Sequence, residues 1–168
     1  MKKTGRAYKF GDNISTDLII SGRYKFAIRS MKELAKHVME DADSNFYQKT
    51  RKGPSFIVAG WNFGMGSSRE QAPWAIKEAG ILAVIAKNFA RIFYRNSFNI
   101  GLALIECDTD LISQGDILEL DIDKGYLKNK TKKTLIAIKP LHPLMKDLLK
   151  SGGIVKYFKK HRGLNFGA

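Results

Sequence analysis

Val58-Ala59-Gly60-Trp61-Asn62-Phe63-Gly64-Met65-Gly66-Ser67-Ser68-Arg69-Glu70-Gln71 is the stretch on which the reading of this chain turns. The apolar run Phe56-Ile57-Val58-Ala59 at its start has the length and composition of a short buried strand. Gly60, Gly64 and Gly66 then permit sharp turns that uncover backbone N–H groups. Ser67 with Glu70, and Ser68 with Gln71, both have capping-box spacing, which predicts a helix directly after the glycines, from about Ser68 to Ala79. Pro73 falls in its first turn, where a missing N–H is tolerated.

A glycine-rich loop feeding a helix N-terminus concentrates positive potential, and Arg69 adds a cation with two-pronged geometry. Such a place suits a carboxylate or a phosphate. The plainer alternative is that Ser67 and Ser68 only cap the helix while Arg69 is solvated. No lysine follows the glycines as in a Walker loop, Gly64-Met65-Gly66 lacks the third glycine of a dinucleotide fingerprint, and Ser67 is not in a Gly-x-Ser-x-Gly elbow.

Outward from this loop, Ile81-Leu82-Ala83-Val84-Ile85-Ala86 is too uniformly apolar for a half-exposed strand and belongs inside a parallel sheet. Asn88 is placed to cap a second helix through about Phe98, and Leu102 to Glu106 reads as the next strand. Strand, helix, strand, helix, strand implies right-handed crossovers and an α/β layer structure. Upstream, Ala7-Tyr8-Lys9-Phe10 reads as a short strand, and Ser30 precedes a helix with Met31, Leu34, Ala35, Val38 and Met39 on one face. His37 lies off that stripe, on the solvent side. Downstream, Ile117 to Ile122, Tyr126 to Lys128 and Leu135 to Ile138 form an antiparallel addition with one wet face. Leu141 to Leu149 is the last full helix, stopped by Gly152-Gly153, and the basic tail from about 154 to 168 is expected to be ordered only in part. No linker or repeat divides residues 1–168, so a single domain is expected.

Lysine and arginine total 29 against 16 acidic residues, a formal charge of +13. The basic residues are scattered rather than striped with aromatics, which argues against nucleic acid and leaves an acidic partner subunit or a dianionic substrate. Cys107 is the one cysteine. It excludes internal disulfides, cannot alone hold zinc or an iron–sulfur cluster, and fits the buried end of a strand in a reducing, cytoplasmic setting. No apolar run approaches a membrane span, and no apolar stretch follows the basic start as in an export signal.

Asn62 through Gln71 resembles the signature of the aconitase superfamily's swivelling domain, as found in small subunits of 3-isopropylmalate dehydratase and their relatives. Gly11-Asp12-Asn13-Ile14-Ser15-Thr16-Asp17 is similar to that family's N-terminal motif, and Ala86-Lys87-Asn88-Phe89-Ala90-Arg91-Ile92-Phe93-Tyr94-Arg95-Asn96-Ser97 to its second helix entry. Order and spacing agree over nearly the whole chain. The resemblance implies a three-layer β/β/α domain, mostly parallel sheet with a smaller antiparallel portion. It implies a hydro-lyase small subunit that interconverts 2- and 3-isopropylmalate in leucine biosynthesis and binds no metal itself. The [4Fe-4S] cluster would sit on a large subunit, in a heterodimer or heterotetramer that this chain closes as a lid.

By position in the motif, Ser67 matches the catalytic serine, a base in its alkoxide form, and Ser68 and Arg69 match contacts to a substrate carboxylate. Asn62, Gly64, Gly66, Asp17, Arg91 and Arg95 match residues that support the site or are purely structural. Ser15 departs from the family, where aspartate is frequent. The loop after Gly22, with Tyr24, Lys25 and Phe26, would face the variable substituent of the substrate. An aromatic at Phe26 suits a branched alkyl group better than a third carboxylate. Lys25 and Arg23 keep related acids open, namely 2,3-dimethylmalate, citramalate or citraconate, and homoaconitate. An RNA-binding aconitase-like module is the alternative from another class.

Overall fold

The structure, a computed structural model, describes residues 1–24, 27–67 and 69–161. Seven strands form one sheet in the order β4-β3-β2-β1-β5-β6-β7. In chain order the elements are β1 (Lys2–Lys9), α1 (Thr16–Ile19), α2 (Met31–Ala35), α3 (Phe46–Thr50), β2 (Ser55–Val58), α4 (Gln71–Glu78), β3 (Ile81–Ala86) and α5 (Arg91–Ile100). They continue as β4 (Leu104–Glu106), β5 (Ile117–Asp121), β6 (Tyr126–Asn129), β7 (Thr134–Ala137), α6 (Pro143–Ser151) and α7 (Ile154–His161).

The β2-α4-β3-α5-β4 run is parallel, as the sequence predicts, and β1 extends it parallel to β2. On its other edge β1 pairs antiparallel with β5, and β6 and β7 follow antiparallel. The sheet is therefore mixed in equal measure, which corrects the expectation of a mostly parallel one. The reason is β1. It was expected to start at Ala7 but begins at Lys2, and its lysine-rich first half is held by β5, with Lys2 Nζ 3.2 Å from a Glu119 carboxylate oxygen.

The sheet curls. An antiparallel bridge joins Cys107 to Ile138, and Lys139 N–H donates to Glu106 O at 2.8 Å, so the strand farthest along one edge returns to the other. Two cores follow from this curl. Ala7, Phe56, Val58, Ala83, Ile85, Leu118, Leu120, Leu127 and Ile136 fill the space inside it. Tyr8, Ile57, Val84 and Ala86 face the helices. Both faces of β3 are thus buried, which is why its sequence does not alternate. On β6 and β7 only one face is buried; Leu127 and Ile136 are inside while Lys128 and Leu135 are exposed.

Several local expectations are corrected. Neither Ser67 nor Asn88 caps a helix: α4 begins after Glu70 and α5 after Ala90, and neither has a side-chain cap. Ser30 makes no cap bond either, and its helix stops at Ala35, the chain continuing in turns that still bury Val38 and Met39. The last full helix spans Pro143–Ser151, with the His142 side chain accepting from Leu144 N. Beyond Gly152-Gly153 the basic tail forms α7, because Tyr157 is buried and Ile154 packs on the helix-side core.

Candidate active site

The loop after β2 is threaded between the two other motifs, and its backbone bonds alternate between them. Gly60 N–H donates to Gly11 O (3.2 Å), Trp61 N–H to Asp12 Oδ1 (2.7 Å), and Asn13 N–H to Trp61 O (2.8 Å). Asn62 N–H then turns to Asn88 Oδ1 (2.5 Å), Phe63 N–H goes to Asn88 O (3.2 Å), and Ala90 N–H returns to Phe63 O (2.9 Å). The chain swings back as Gly64 N–H donates to Ile14 O (2.7 Å) and Thr16 N–H to Met65 O (2.8 Å). This side-to-side path needs backbone angles that most residues resist, and Asn62 (φ 61), Gly64 (φ 81) and Gly66 (φ 98) all have positive φ.

Ser67 is held by its own backbone. Its carbonyl accepts from the buried Thr16 hydroxyl (2.9 Å) and from Arg69 N–H (2.7 Å), leaving the side chain exposed. Ser67 Oγ accepts from Arg69 Nε at 3.0 Å. The rest of that guanidinium is anchored behind the loop, with Nη2 2.7 Å from Asp17 Oδ1 and Nη1 3.3 Å from Ile20 O. Asp17 is thereby the residue that aims Arg69 at Ser67. Ser15 N-caps α1 by accepting from Leu18 N–H (3.1 Å), a job serine and aspartate do about equally well.

A cleft of about 200 Å³ opens at this point, lined by Thr16, Gly64, Gly66, Ser67 and Arg69 on one wall and by Ala90, Arg91, Ile92, Phe93 and Asn96 on the other. The second wall is the first turn of α5, whose leading N–H groups have no intrahelical acceptor and whose cap residue is alanine. The helix start that faces the cleft is thus that of α5 rather than α4, with Arg69 and Arg91 beside it.

Of the residues singled out from the sequence, Ser67, Arg69, Gly64, Gly66 and Arg91 meet in this cleft. Asn62 lies just behind it, its amide reaching Asn13 Oδ1 at 3.2 Å. Arg95, one turn further along α5, is exposed and does not line the cleft. Tyr24 does not line it either: its hydroxyl donates to Glu40 Oε1 (2.8 Å) and its ring stacks on His37, whose Nδ1 lies 2.5 Å from Glu40 Oε2. The hydrogen bond with His37, then those from Tyr24 and Arg23, hold the Glu40 carboxyl below the ordinary carboxylate range against the opposing effect of burial. Ser68, Lys25 and Phe26 lie outside the described residues. Thr16, Ile92, Phe93 and Asn96 were missed by the sequence reading; their signal was helical spacing after Ala90 and the Ser15-Thr16-Asp17 triplet.

The Asp17–Arg69 pair sets a first prediction. Asp17 is 57% exposed, so its ion pair is worth roughly 0.2–1 kcal/mol rather than the value of a buried one. Asp17→Asn is expected to lower kcat/KM by about two- to fivefold, mostly through KM as the guanidinium loses its fixed aim. Steady-state kinetics would show it; a hundredfold loss would mean that Asp17 itself meets the bound ligand.

The profile of the aconitase C-terminal domain matches residues 9–110, and the curled mixed sheet is an aconitase C-terminal-like α/β domain: the chain belongs to that family. Within it the chain falls among the small subunits of 3-isopropylmalate dehydratase, a hydro-lyase. It is 59% identical to small subunit 2 of that enzyme from Archaeoglobus fulgidus over 96% of this chain and 97% of the relative. The small subunit from Wolinella succinogenes is 55% identical, over 92% of each. A crystal structure of 3-isopropylmalate dehydratase from Methanocaldococcus jannaschii superposes with a TM-score of 0.92, at 49% identity and covering 96% of both chains.

Proposed function

We propose that this chain forms the substrate-facing half of a two-subunit hydro-lyase that converts 2-isopropylmalate to 3-isopropylmalate, with Ser67 as the base. The observation that carries this is the contact of an exposed Ser67 Oγ with Arg69 Nε on one wall of an open cleft whose other wall carries Arg91. In the forward reaction Ser67, as the alkoxide, takes a proton from the carbon next to a carboxylate. The hydroxyl departs from the neighbouring carbon and becomes water with a second proton from solvent, and the double bond so formed takes water back in the opposite sense, Ser67 returning its proton. A free serine hydroxyl is far too weakly acidic for this, so the charge of Arg69 and the α5 N-terminus must stabilise the oxyanion. Ser68, Arg69 and Arg91 then hold the carboxylates, and Phe26 packs the isopropyl group. A single domain over residues 1–168, its curled sheet read as two β layers under one of helices, suits a lid over a partner.

The family implies a [4Fe-4S] cluster, which this chain's residues do not fit. Burial, with the Asp108 charge adding to it, pushes the Cys107 thiol up to about 12, and no other cysteine exists to share a cluster. Among the described residues no group of three His, Cys, Asp or Glu side chains is placed to hold a metal ion. The cluster belongs on a large subunit, in a heterodimer or heterotetramer, in a reducing cytoplasm. Among the described residues no helix is long and apolar enough to cross a membrane.

The test is reconstitution. The purified chain should interconvert the two isopropylmalates only when mixed anaerobically with the cluster-bearing large subunit, and homoaconitate should be a poor substrate. Turnover by the isolated chain, or none in the mixture, would overturn the proposal.

A further inference from the structure

Four large apolar side chains stand exposed on α4, α5 and α7. Ile92 is 55% exposed, Trp74 36%, Val155 64% and Phe158 52%. Ile92, Trp74 and Val155 border two hollows that share Asn96. Ile92, Asn96, Asn99 and Ile100 follow one another at helical spacing along α5, and Asn96 borders both the catalytic cleft and a second hollow. That hollow, about 170 Å³, is lined by Glu70 and Trp74 from the α4 side, Asn99 and Ile100 from α5, and Ile154 and Val155 from α7. On α7, Ile154 and Tyr157 turn inward, so Val155, Phe158 and Lys159 share the outer face.

The rim is cationic. Lys77 lies over the Trp74 ring, its Nζ 5.4 Å from the centroid, and donates to Ile100 O. Burial first, and then the charge of Lys156, push the Lys77 ammonium below its ordinary range. Lys159 and Lys160 follow on the same helix, and Arg91 stands at the cleft end. Against these, Glu70 is the one acid lining the hollow.

We infer that this face is the docking surface for the large subunit, through a partner patch that is apolar at its centre and acidic at its rim. The inference rests on the function proposed above and adds the location and chemistry of the contact. Apolar side chains next to an open half-site are buried when the other half arrives, which places the seal against water at the edge of the chemistry. Charge selects among occupants. A second copy would bring the same lysines against themselves on a chain of net charge +13, whereas an acidic rim complements them.

The experiment uses the full chain and its large subunit. Val155→Glu/Phe158→Glu alters only exposed side chains, and its urea midpoint is expected to match wild type. The Kd for the large subunit, from sedimentation of the mixed subunits, should rise at least tenfold, while kcat at saturating small subunit stays within twofold. Lys159→Glu should slow association and flatten its salt dependence. Kd within twofold of wild type for the double variant would overturn the inference. So would self-association of the wild-type chain that the double variant abolishes with no change in Kd, which would assign the face to a second copy. Failure of the wild-type chain itself to bind the large subunit would instead bring down the functional proposal, and this inference with it; Ser67→Ala, expected to bind normally, separates assembly from chemistry.

Discussion

Replacing Ser67 by alanine is expected to lower kcat of the reconstituted enzyme by about 10³-fold or more, with the fold, the urea midpoint and the affinity for the large subunit unchanged. The stability half of this expectation comes from the geometry. Were Ser67 a helix cap, alanine would cost about 0.5–2 kcal/mol. Instead α4 starts after Glu70 without a side-chain cap, and Ser67 is fixed through its carbonyl, by Thr16 Oγ1 and Arg69 N–H, neither of which needs the hydroxyl. The activity half comes from chemistry. Within the cleft Ser67 Oγ sits against a guanidinium that Asp17 and Ile20 hold from behind, so the cation is in place before an alkoxide forms and little reorganisation is needed. Kinetics of the variant assembled with its large subunit, alongside urea unfolding of the isolated chain, measure the two halves separately. Near-normal turnover would remove Ser67 from the role of base; a lost fold with lost turnover would return it to a structural one.

What the sequence revealed and what it hid divide along the range of the interactions. Ile81 to Ala86 was legible because both its faces are buried, and that requirement is written in consecutive residues. The hairpins from Ile117 to Ile138 were legible because alternation and a tight turn are local. Ser67 and Asn88 also carried local signals, as caps, and here the local reading misled. In this loop the Asn88 side chain is taken by the distant Asn62 N–H and the Ser67 hydroxyl by Arg69 Nε, so spacing of three residues no longer decides their use. The second wall of the cleft was hidden for a related reason. Gly64 to Ser67 and Ala90 to Asn96 are separated in sequence, and the closure of Phe63 on Phe89 by a parallel bridge, with Asn62 N–H on the Asn88 side chain, sets the α5 N-terminus opposite the serine. The β1–β5 pairing was invisible because Lys2 to Gly5 reads as polar and takes its place from a strand more than a hundred residues away. α7 was obscured by its lysines, which outnumber the two residues that anchor it.

Gly64 ties these segments together, and Gly64→Ala is expected to destabilise the fold by about 2–5 kcal/mol. Two effects add. A φ of 81° holds any residue with a side chain in the left-handed region, which costs on the order of 1–2 kcal/mol. A methyl there would also lie 2.6 Å from Phe93 Cβ and 2.7 Å from its Cδ1, and Phe93 is 3% exposed with Phe63 packed edge-on against it at 5.3 Å. That ring is walled in on its inner side, so overlap adds roughly 1–3 kcal/mol or moves Phe93 into the cleft. Gly66→Ala supplies the internal comparison. Its φ of 98° imposes similar strain, yet the nearest atom to a methyl there is Thr16 Oγ1 at 3.5 Å, an ordinary contact. Gly66→Ala should therefore lose only the strain, about 1–2 kcal/mol, and the difference between the variants in urea unfolding isolates the overlap with Phe93. Equal losses at 64 and 66 would show that backbone angle alone demands glycine. A larger loss at 64 means that Gly64 is also the gap through which α5 approaches the loop, and that the cleft between Ser67 and Arg91 depends on it.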